Sequence, residues 1–200
     1  GFFESEIWNK LYDFQKDGVK GAINKILKHN GCILADSVGI VKTFEALAVI
    51  KYFESLNQRV LVICPKKLSE NWTIYQAVQA NSYNPFVKDR FSYTVIYHTD
   101  LTRESGFGKA NNIDLSRFNW GAFDLIVIDE SHNFKGNPMQ YTEEDNSTRM
   151  NRAAWLMEKI IKSGVKTKVL LLSATPVNND LRDLRNQIFL ITEGKSNALS

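Results

Sequence analysis

Short, continuously apolar runs alternate along this chain with longer segments of helical periodicity. Runs such as 60–64 and 125–128 lack the polar alternation of a half-exposed strand, which indicates strands covered on both faces. The predicted helices are 11–28, 42–56, 68–79, 149–162 and 179–192, and the predicted strands are 32–36, 59–64, 93–98, 124–129 and 168–173. This order predicts an α/β fold with a doubly wound, mostly parallel sheet and helices on both faces.

Two polar stretches interrupt this pattern. Residues 99–121 are polar and contain glycine, which predicts a long surface loop, and residues 136–147 are acidic without an apolar core, which predicts a mobile loop. We expect residues 1–193 to form one domain. We expect the polar residues 194–200 to be a flexible tail at the cut end of a longer chain.

Composition limits the class of protein. The 200 residues are 44% hydrophobic, and no apolar span of eighteen residues occurs, so we expect no transmembrane helix and no membrane partner. Cys32 and Cys64 fall in predicted strands without ligand partners at metal-binding spacing, so they are predicted core residues of a reducing, cytoplasmic protein. A net charge of +3 permits a nucleic-acid partner without requiring one.

The apolar run 124–128 is followed directly by two acidic residues, Asp129 and Glu130. Carboxylates at the carboxyl end of a buried parallel strand lie where such sheets bind their ligands. One carboxylate can hold the Mg²⁺ of a bound nucleotide while its neighbour orients or deprotonates a water. The alternative is an acidic strand end before an ordinary turn.

A strand, a loop of small residues and Lys42-Thr43 at a helix start form a Walker A arrangement. Backbone amides and the positive helix end would bind the phosphates of ATP, Lys42 would reach the β and γ phosphates, and the Thr43 hydroxyl would ligate Mg²⁺. The predicted nucleotide-binding residues are Asp36, Ser37, Val38, Gly39, Ile40, Val41, Lys42 and Thr43. With Asp129 they supply both halves of a magnesium-phosphate site.

Val41 stands where the Walker A pattern has glycine. Glycine there lets the backbone approach phosphate closely and adopt torsions that a β-branched residue resists. Either the loop tolerates valine with strain of about 1–3 kcal/mol, if residue 41 is forced into a sparse region, or nucleotide binding is impaired.

An ordered series of motifs resembles the first RecA-like lobe of the Swi/Snf-type superfamily-two helicases and translocases. The motifs are LYDFQ (11–15), ADSVGIVKT (35–43), VLVICPKKLSENW (60–72), DESHNFK (129–135) and SATPVNNDLRDL (173–184). Ser37, Tyr12 and Val41 depart from the family pattern, which usually has Glu, Arg and Gly there. The resemblance covers about residues 11–191.

The resemblance implies an ATP hydrolase that moves on nucleic acid, with duplex DNA as the expected substrate. Asp129 would hold Mg²⁺ with Thr43, Glu130 would orient the attacking water, and Gln15 would read adenine. Arginines from a second RecA-like lobe would complete the site, so this lobe alone should turn over ATP poorly. The protein would be associated with the nucleoid in a bacterium and nuclear in a eukaryote.

The resemblance also assigns roles outside the nucleotide site. Lys66 and Lys67 would contact nucleic-acid phosphates, which we favour over the alternative that they are solvated lysines at a helix start. His132 would link Asp129 and Glu130 to the segment Ser173, Ala174 and Thr175. Trp72 is expected in the core, and His98 is expected to satisfy a local hydrogen bond.

Two rival functions remain at this stage. One is a nucleic-acid-binding or scaffolding lobe whose nucleotide binding is impaired by Val41. The more distant one is an unrelated P-loop kinase or small ATPase, which the Pro-Val-Asn-Asn segment 176–179 disfavours.

Overall fold

The computed structural model describes residues 1–35, 39–78, 83–102, 113–131, 139–142, 147–150 and 166–173. Within these ranges the helices are α1 (Glu6–Lys10), α2 (Asp13–His29), α3 (Gly39–Ser55) and α4 (Glu70–Thr73). The strands are β1 (Gly31–Ala35), β2 (Val60–Cys64), β3 (Thr94–Tyr97), β4 (Leu125–Ile128), β5 (Met139–Thr142), β6 (Ser147–Met150) and β7 (Lys168–Ser173). The predicted helix 179–192 lies outside the described residues.

Five strands form one sheet in the order β1-β7-β4-β2-β3, and every neighbouring pair is parallel. Ile63 of β2 is in register with Ile128 of β4, which is in register with Leu171 of β7. The carboxyl ends of these strands therefore meet at one edge of the sheet. The predicted α/β fold with a parallel sheet is confirmed.

Apolar side chains cover both faces of the sheet. On one face, Val127 of β4 packs in a cluster that includes α1, α2 and α3 residues, and on the other Ile128 packs in a cluster with Trp120 and Phe123. Consecutive residues of a strand point to opposite faces, so a strand buried on both faces must be continuously apolar. This is why runs without polar alternation predicted the strands correctly.

Two predicted helices have different bounds in the structure. α3 begins at Gly39 instead of residue 42. The predicted helix 68–79 is instead a 3₁₀ turn, Lys66–Leu68, followed by the short α4. The chain leaves the helix because Gln76 forms a parallel β-bridge with Phe91 and the Ala77 amide donates to the Phe91 carbonyl. Tertiary pairing overrides the helical periodicity of this segment.

The predicted loop 136–147 and the start of the predicted helix 149–162 are wrong where the structure describes them. β5 and β6 pair antiparallel, with Met139 opposite Met150 and Thr142 opposite Ser147. An antiparallel pair satisfies its main-chain hydrogen bonds between its own two strands, so a polar segment can form one without an apolar run. Residues 151–162 of the predicted helix lie outside the described residues.

None of the helices in the described residues is long and apolar enough to cross a membrane.

We expect both cysteine thiols to resist alkylation in the native chain. Cys32 and Cys64 are free and buried, and burial raises the pKa of both thiols, that of Cys64 to about 12, with the Asp129 carboxylate adding to the shift. Because the thiolate is the reactive form, labelling with iodoacetamide at pH 8 should be negligible in buffer and complete at both positions in guanidinium. Rapid labelling of the native chain would contradict their burial.

Candidate nucleotide site

A cleft of about 380 Å³ opens at the carboxyl edge of the sheet. It lies between the start of α3, the segment that follows β2, and the end of β4. The residues that line it are Lys42, Thr43, Leu68, Glu70, Asn71, Ile74, Tyr75, Asp129 and Glu130. The Lys-Thr pair and the Asp-Glu pair that were predicted from separate sequence segments therefore face one cavity.

The Lys42 side chain lies close to both carboxylates of the Asp-Glu pair. Its ammonium Nζ lies 3.9 Å from Asp129 Oδ1 and 4.0 Å from Glu130 Oε1. The Lys42 side chain is 3% exposed, so these ion pairs are screened less than pairs at the surface. Both distances exceed those of a direct hydrogen bond, so the ammonium pairs with the two carboxylates by charge alone.

Asp129 is held at four points. Its amide donates to the Ile63 carbonyl at 2.8 Å, and its carbonyl accepts from His98 Nε2 at 2.8 Å. In its carboxylate, Oδ1 accepts from the Glu130 amide at 2.9 Å and Oδ2 accepts from Trp72 Nε1 at 3.0 Å. The expected hydrogen bond of His98 is present, but it is not local, because its partner Asp129 directly follows β4, two strands away from β3 in the sheet.

Burial raises the pKa of the Asp129 carboxyl above its ordinary value, and the neighbouring Glu130 carboxylate acts in the same direction. The Trp72 hydrogen bond and the Lys42 ammonium act against this and favour the charged form. A buried carboxylate in this position is costly to charge, and a further cation beside it would offset that cost.

Glu130 adopts a backbone conformation that is rare for a non-glycine residue. Its φ is 51°, in the left-handed region, which costs about 1 kcal/mol or more. The chain turns there, directly after β4, and the Glu130 carboxylate lies beside the Lys42 ammonium. Such strain is common where a site fixes the direction of a functional side chain.

The donor set fits Mg²⁺ carried by a nucleotide. Thr43 and Asp129 both line the cleft and offer hydroxyl and carboxylate oxygens, which are the ligands that Mg²⁺ prefers. Two carboxylates share one lysine, so the three groups carry a net negative charge. Among the described residues no group of three or more His, Cys, Asp or Glu could hold a metal ion.

Val41 lies in the first turn of α3, and it is not among the non-glycine residues with positive φ in the described chain. The strain that the sequence allowed at this position is therefore absent. Because α3 begins at Gly39, the amides of its first turn, including that of Val41, have no acceptor within the helix and can bind an anion. Asp36, Ser37 and Val38 lie outside the described residues.

The other predicted site residues are placed as follows. Gln15 is 4% exposed at the start of α2, where its Oε1 accepts from the Tyr12 amide at 2.8 Å, and it does not line the cleft.

The residues predicted to contact nucleic acid or to couple it to the nucleotide site lie outside the cleft or outside the described residues. Lys66 and Lys67 are exposed on the turn after β2. Ser173 is buried at the end of β7. His132, Ala174 and Thr175 lie outside the described residues.

Sequence reasoning missed the wall of the cleft that α4 and the two residues after it provide. Glu70, Asn71, Ile74 and Tyr75 line the cavity, and their spacing is that of one face of a helix that starts after Lys67. That spacing was the available signal. Trp72, predicted in the core, is indeed fully buried, but its hydrogen bond to Asp129 has no signature in the sequence.

Comparison with known proteins finds one family over most of the chain. Residues 14–199 match the SNF2-related domain. The chain is 28% identical over 176 residues to the uncharacterized ATP-dependent helicase YqhH of Bacillus subtilis, covering 84% of this chain and 27% of that protein. It is 27% identical over 199 residues to the DNA annealing helicase and endonuclease ZRANB3 of Homo sapiens, covering 94% of this chain and 16% of that protein.

Among solved structures, the SWI2/SNF2 ATPase core of Sulfolobus solfataricus in complex with dsDNA matches with a TM-score of 0.63 and 22% sequence identity. The match covers 92% of this chain and 36% of that chain. At this identity the likeness shows the fold. The chain spans about a quarter of the Bacillus protein that it resembles.

Proposed function

The chain belongs to the SNF2-related domain family, and we propose that it is the ATP-binding lobe of an ATP-dependent DNA translocase. The observation that supports this most is the shared cleft, in which Lys42 lies within 4.0 Å of carboxylate oxygens of both Asp129 and Glu130. A structural ion pair would not require a lysine and a threonine at a helix start to face two carboxylates across an open cavity. Family membership also removes the unrelated P-loop kinase as a rival.

In this proposal the residues of the cleft divide the work of phosphoryl transfer to water. The first-turn amides of α3 and the Lys42 ammonium bind the β and γ phosphates and neutralise their charge. Thr43 and Asp129 would hold Mg²⁺, which would neutralise the charge of the phosphates. Glu130 accepts a hydrogen bond from the attacking water and orients it toward the γ phosphorus.

Roles outside the cleft are proposed on the family resemblance. Gln15 would read adenine from the start of α2, the helix that packs against α3. Ser173, at the end of the strand next to β4, would report the state of the nucleotide with His132, Ala174 and Thr175.

We propose duplex DNA as the polymer on which the whole protein moves, since the solved SWI2/SNF2 ATPase core was in complex with dsDNA. A second RecA-like lobe would supply arginines to the γ phosphate, a contribution worth about 10³–10⁵ in rate. The single lobe, residues 1–193, should therefore bind ATP and hydrolyse it slowly. We place the protein with DNA, in the nucleoid or the nucleus.

Titration calorimetry with ATP and Mg²⁺ tests the proposal. One saturable ATP site per chain is expected, and its affinity for ATP should fall when EDTA removes the metal. A chain that binds no ATP in either condition would instead be the nucleotide-impaired nucleic-acid-binding or scaffolding lobe.

Val41→Gly should tighten ATP binding. The substitution removes a branched side chain from the helix turn whose amides approach the phosphates, although glycine costs part of a kcal/mol in helix propensity. Val41→Ala, which keeps only the Cβ atom, should give an intermediate dissociation constant by the same titration. If all three chains bind ATP equally, valine is tolerated at this position and the impaired-binding alternative loses its basis.

A further inference from the structure

Trp72 of α4 makes the one side-chain hydrogen bond that the described residues give to the Asp129 carboxylate. We propose that Trp72 is a positioning residue for the metal site, whose indole N–H fixes the carboxylate so that Oδ1 faces Lys42 and the cleft. This inference rests on the proposed function. It concerns a role for a residue that does not itself line the cleft.

The Trp72 ring is fixed independently of the nucleotide site. It is fully buried in the core cluster on one face of the sheet, and it meets the Tyr93 ring edge to face at a centroid distance of 6.2 Å. The Tyr93 hydroxyl also donates to the Trp72 carbonyl. Tyr93 directly precedes β3, so this bond holds the main chain of α4 beside the start of that strand. The indole N–H therefore has one available direction, toward Asp129.

The indole supplies one of the two hydrogen bonds that limit rotation of the Asp129 carboxylate. The bonds from the Asp129 amide to Ile63 and from His98 to the Asp129 carbonyl fix the main chain only. The carboxylate itself is fixed by the Glu130 amide on Oδ1 and by the indole on Oδ2. An indole N–H can only donate, so without a carboxylate oxygen it would be a buried, unsatisfied donor, which costs about 1–3 kcal/mol.

Removing such a partner usually weakens a metal site without destroying it. Groups that orient a metal-binding carboxylate typically contribute 10–100-fold to metal affinity. Loss of the Trp72 hydrogen bond should therefore weaken Mg²⁺ binding, so that ATP binding requires a higher Mg²⁺ concentration. The contacts of phosphate with Lys42 and the α3 amides do not involve the indole, so ATP binding without metal should not change.

The test is the Mg²⁺ titration of ATP binding by Trp72→Phe, which keeps an aromatic ring in the core and removes the N–H. We expect the Mg²⁺ concentration for half-maximal binding to rise about tenfold or more, with the ATP affinity in EDTA unchanged. Trp8→Phe is the matched control, because Trp8 is a buried tryptophan of the same core cluster and its substitution should change neither quantity.

Wild-type Mg²⁺ dependence in a folded Trp72→Phe chain would overturn the proposal and leave the proposed function standing. A wild-type chain that binds no ATP would overturn both. If Trp72→Phe fails to fold, the ¹⁵N–¹H indole resonance of Trp72 in the wild-type chain decides the matter. It should shift when Mg²⁺ is added to the ATP complex, and a resonance that does not respond would contradict the role of the indole.

Discussion

Replacing Lys42 with alanine should weaken binding of ATP by about 100-fold in the presence of Mg²⁺. The Lys42 side chain is buried and lines the cleft, and charged hydrogen bonds to phosphate contribute about 1.5–3 kcal/mol each, which is roughly 10–150-fold in the dissociation constant. Titration calorimetry at fixed Mg²⁺ measures the effect. Lys42→Met, which keeps most of the side-chain volume, should give the same loss.

The control for this substitution has to separate binding from folding. Lys42→Ala leaves the carboxylates of Asp129 and Glu130 without a nearby ammonium, so its circular dichroism and melting temperature must be compared with the parent chain. Lys28→Ala, at an exposed position near the end of α2 and at the opposite edge of the sheet, should leave ATP affinity unchanged. Unchanged ATP affinity in a folded Lys42→Ala chain would place the nucleotide elsewhere.

Reversing the charge of both Lys66 and Lys67 to glutamate should weaken binding of duplex DNA by more than tenfold at low salt. The two lysines are exposed on the turn that follows β2, at the carboxyl edge of the sheet. Phosphate contacts are indifferent to base sequence, and each neutralised phosphate adds about 0.9 to the slope of log affinity against log salt. The double variant should therefore lower that slope by about 2 in a fluorescence anisotropy titration.

ATP affinity should not change in the double variant, because neither lysine lines the cleft. A double reversal at Lys25 and Lys28, which are exposed on α2, changes the net charge equally and should leave most DNA binding intact. DNA binding that survives at Lys66→Glu, Lys67→Glu would move the contact surface elsewhere. The next candidate is the segment 99–121, with Arg103, Lys109 and Arg117.

The strands and the two halves of the candidate site were predictable because each depends on local sequence. The run 125–128 had to be continuously apolar to be buried on both faces, and the residues that follow such a strand must lie at the ligand edge. Lys42 and Asp129 were therefore expected to meet, and the structure places them 3.9 Å apart.

Features that depend on contacts between distant residues were not predictable in this way. The early end of α4 follows from the bridge between Gln76 and Phe91, and the antiparallel pair β5–β6 replaces a predicted loop and helix start. The indole of Trp72 meets Asp129 across 57 positions of sequence. The residue type predicted that Trp72 would be buried, but it carries no information about the partner of its N–H group.

A crystal structure of the chain with a non-hydrolysable ATP analogue and Mn²⁺ in place of Mg²⁺ tests the central claim most directly. The anomalous signal of manganese is predicted between the Thr43 hydroxyl and the Asp129 carboxylate, with the β and γ phosphates at the first turn of α3 and beside the Lys42 ammonium. A nucleotide bound away from α3, or a manganese ion that contacts neither Thr43 nor Asp129, would contradict the proposed ATP site.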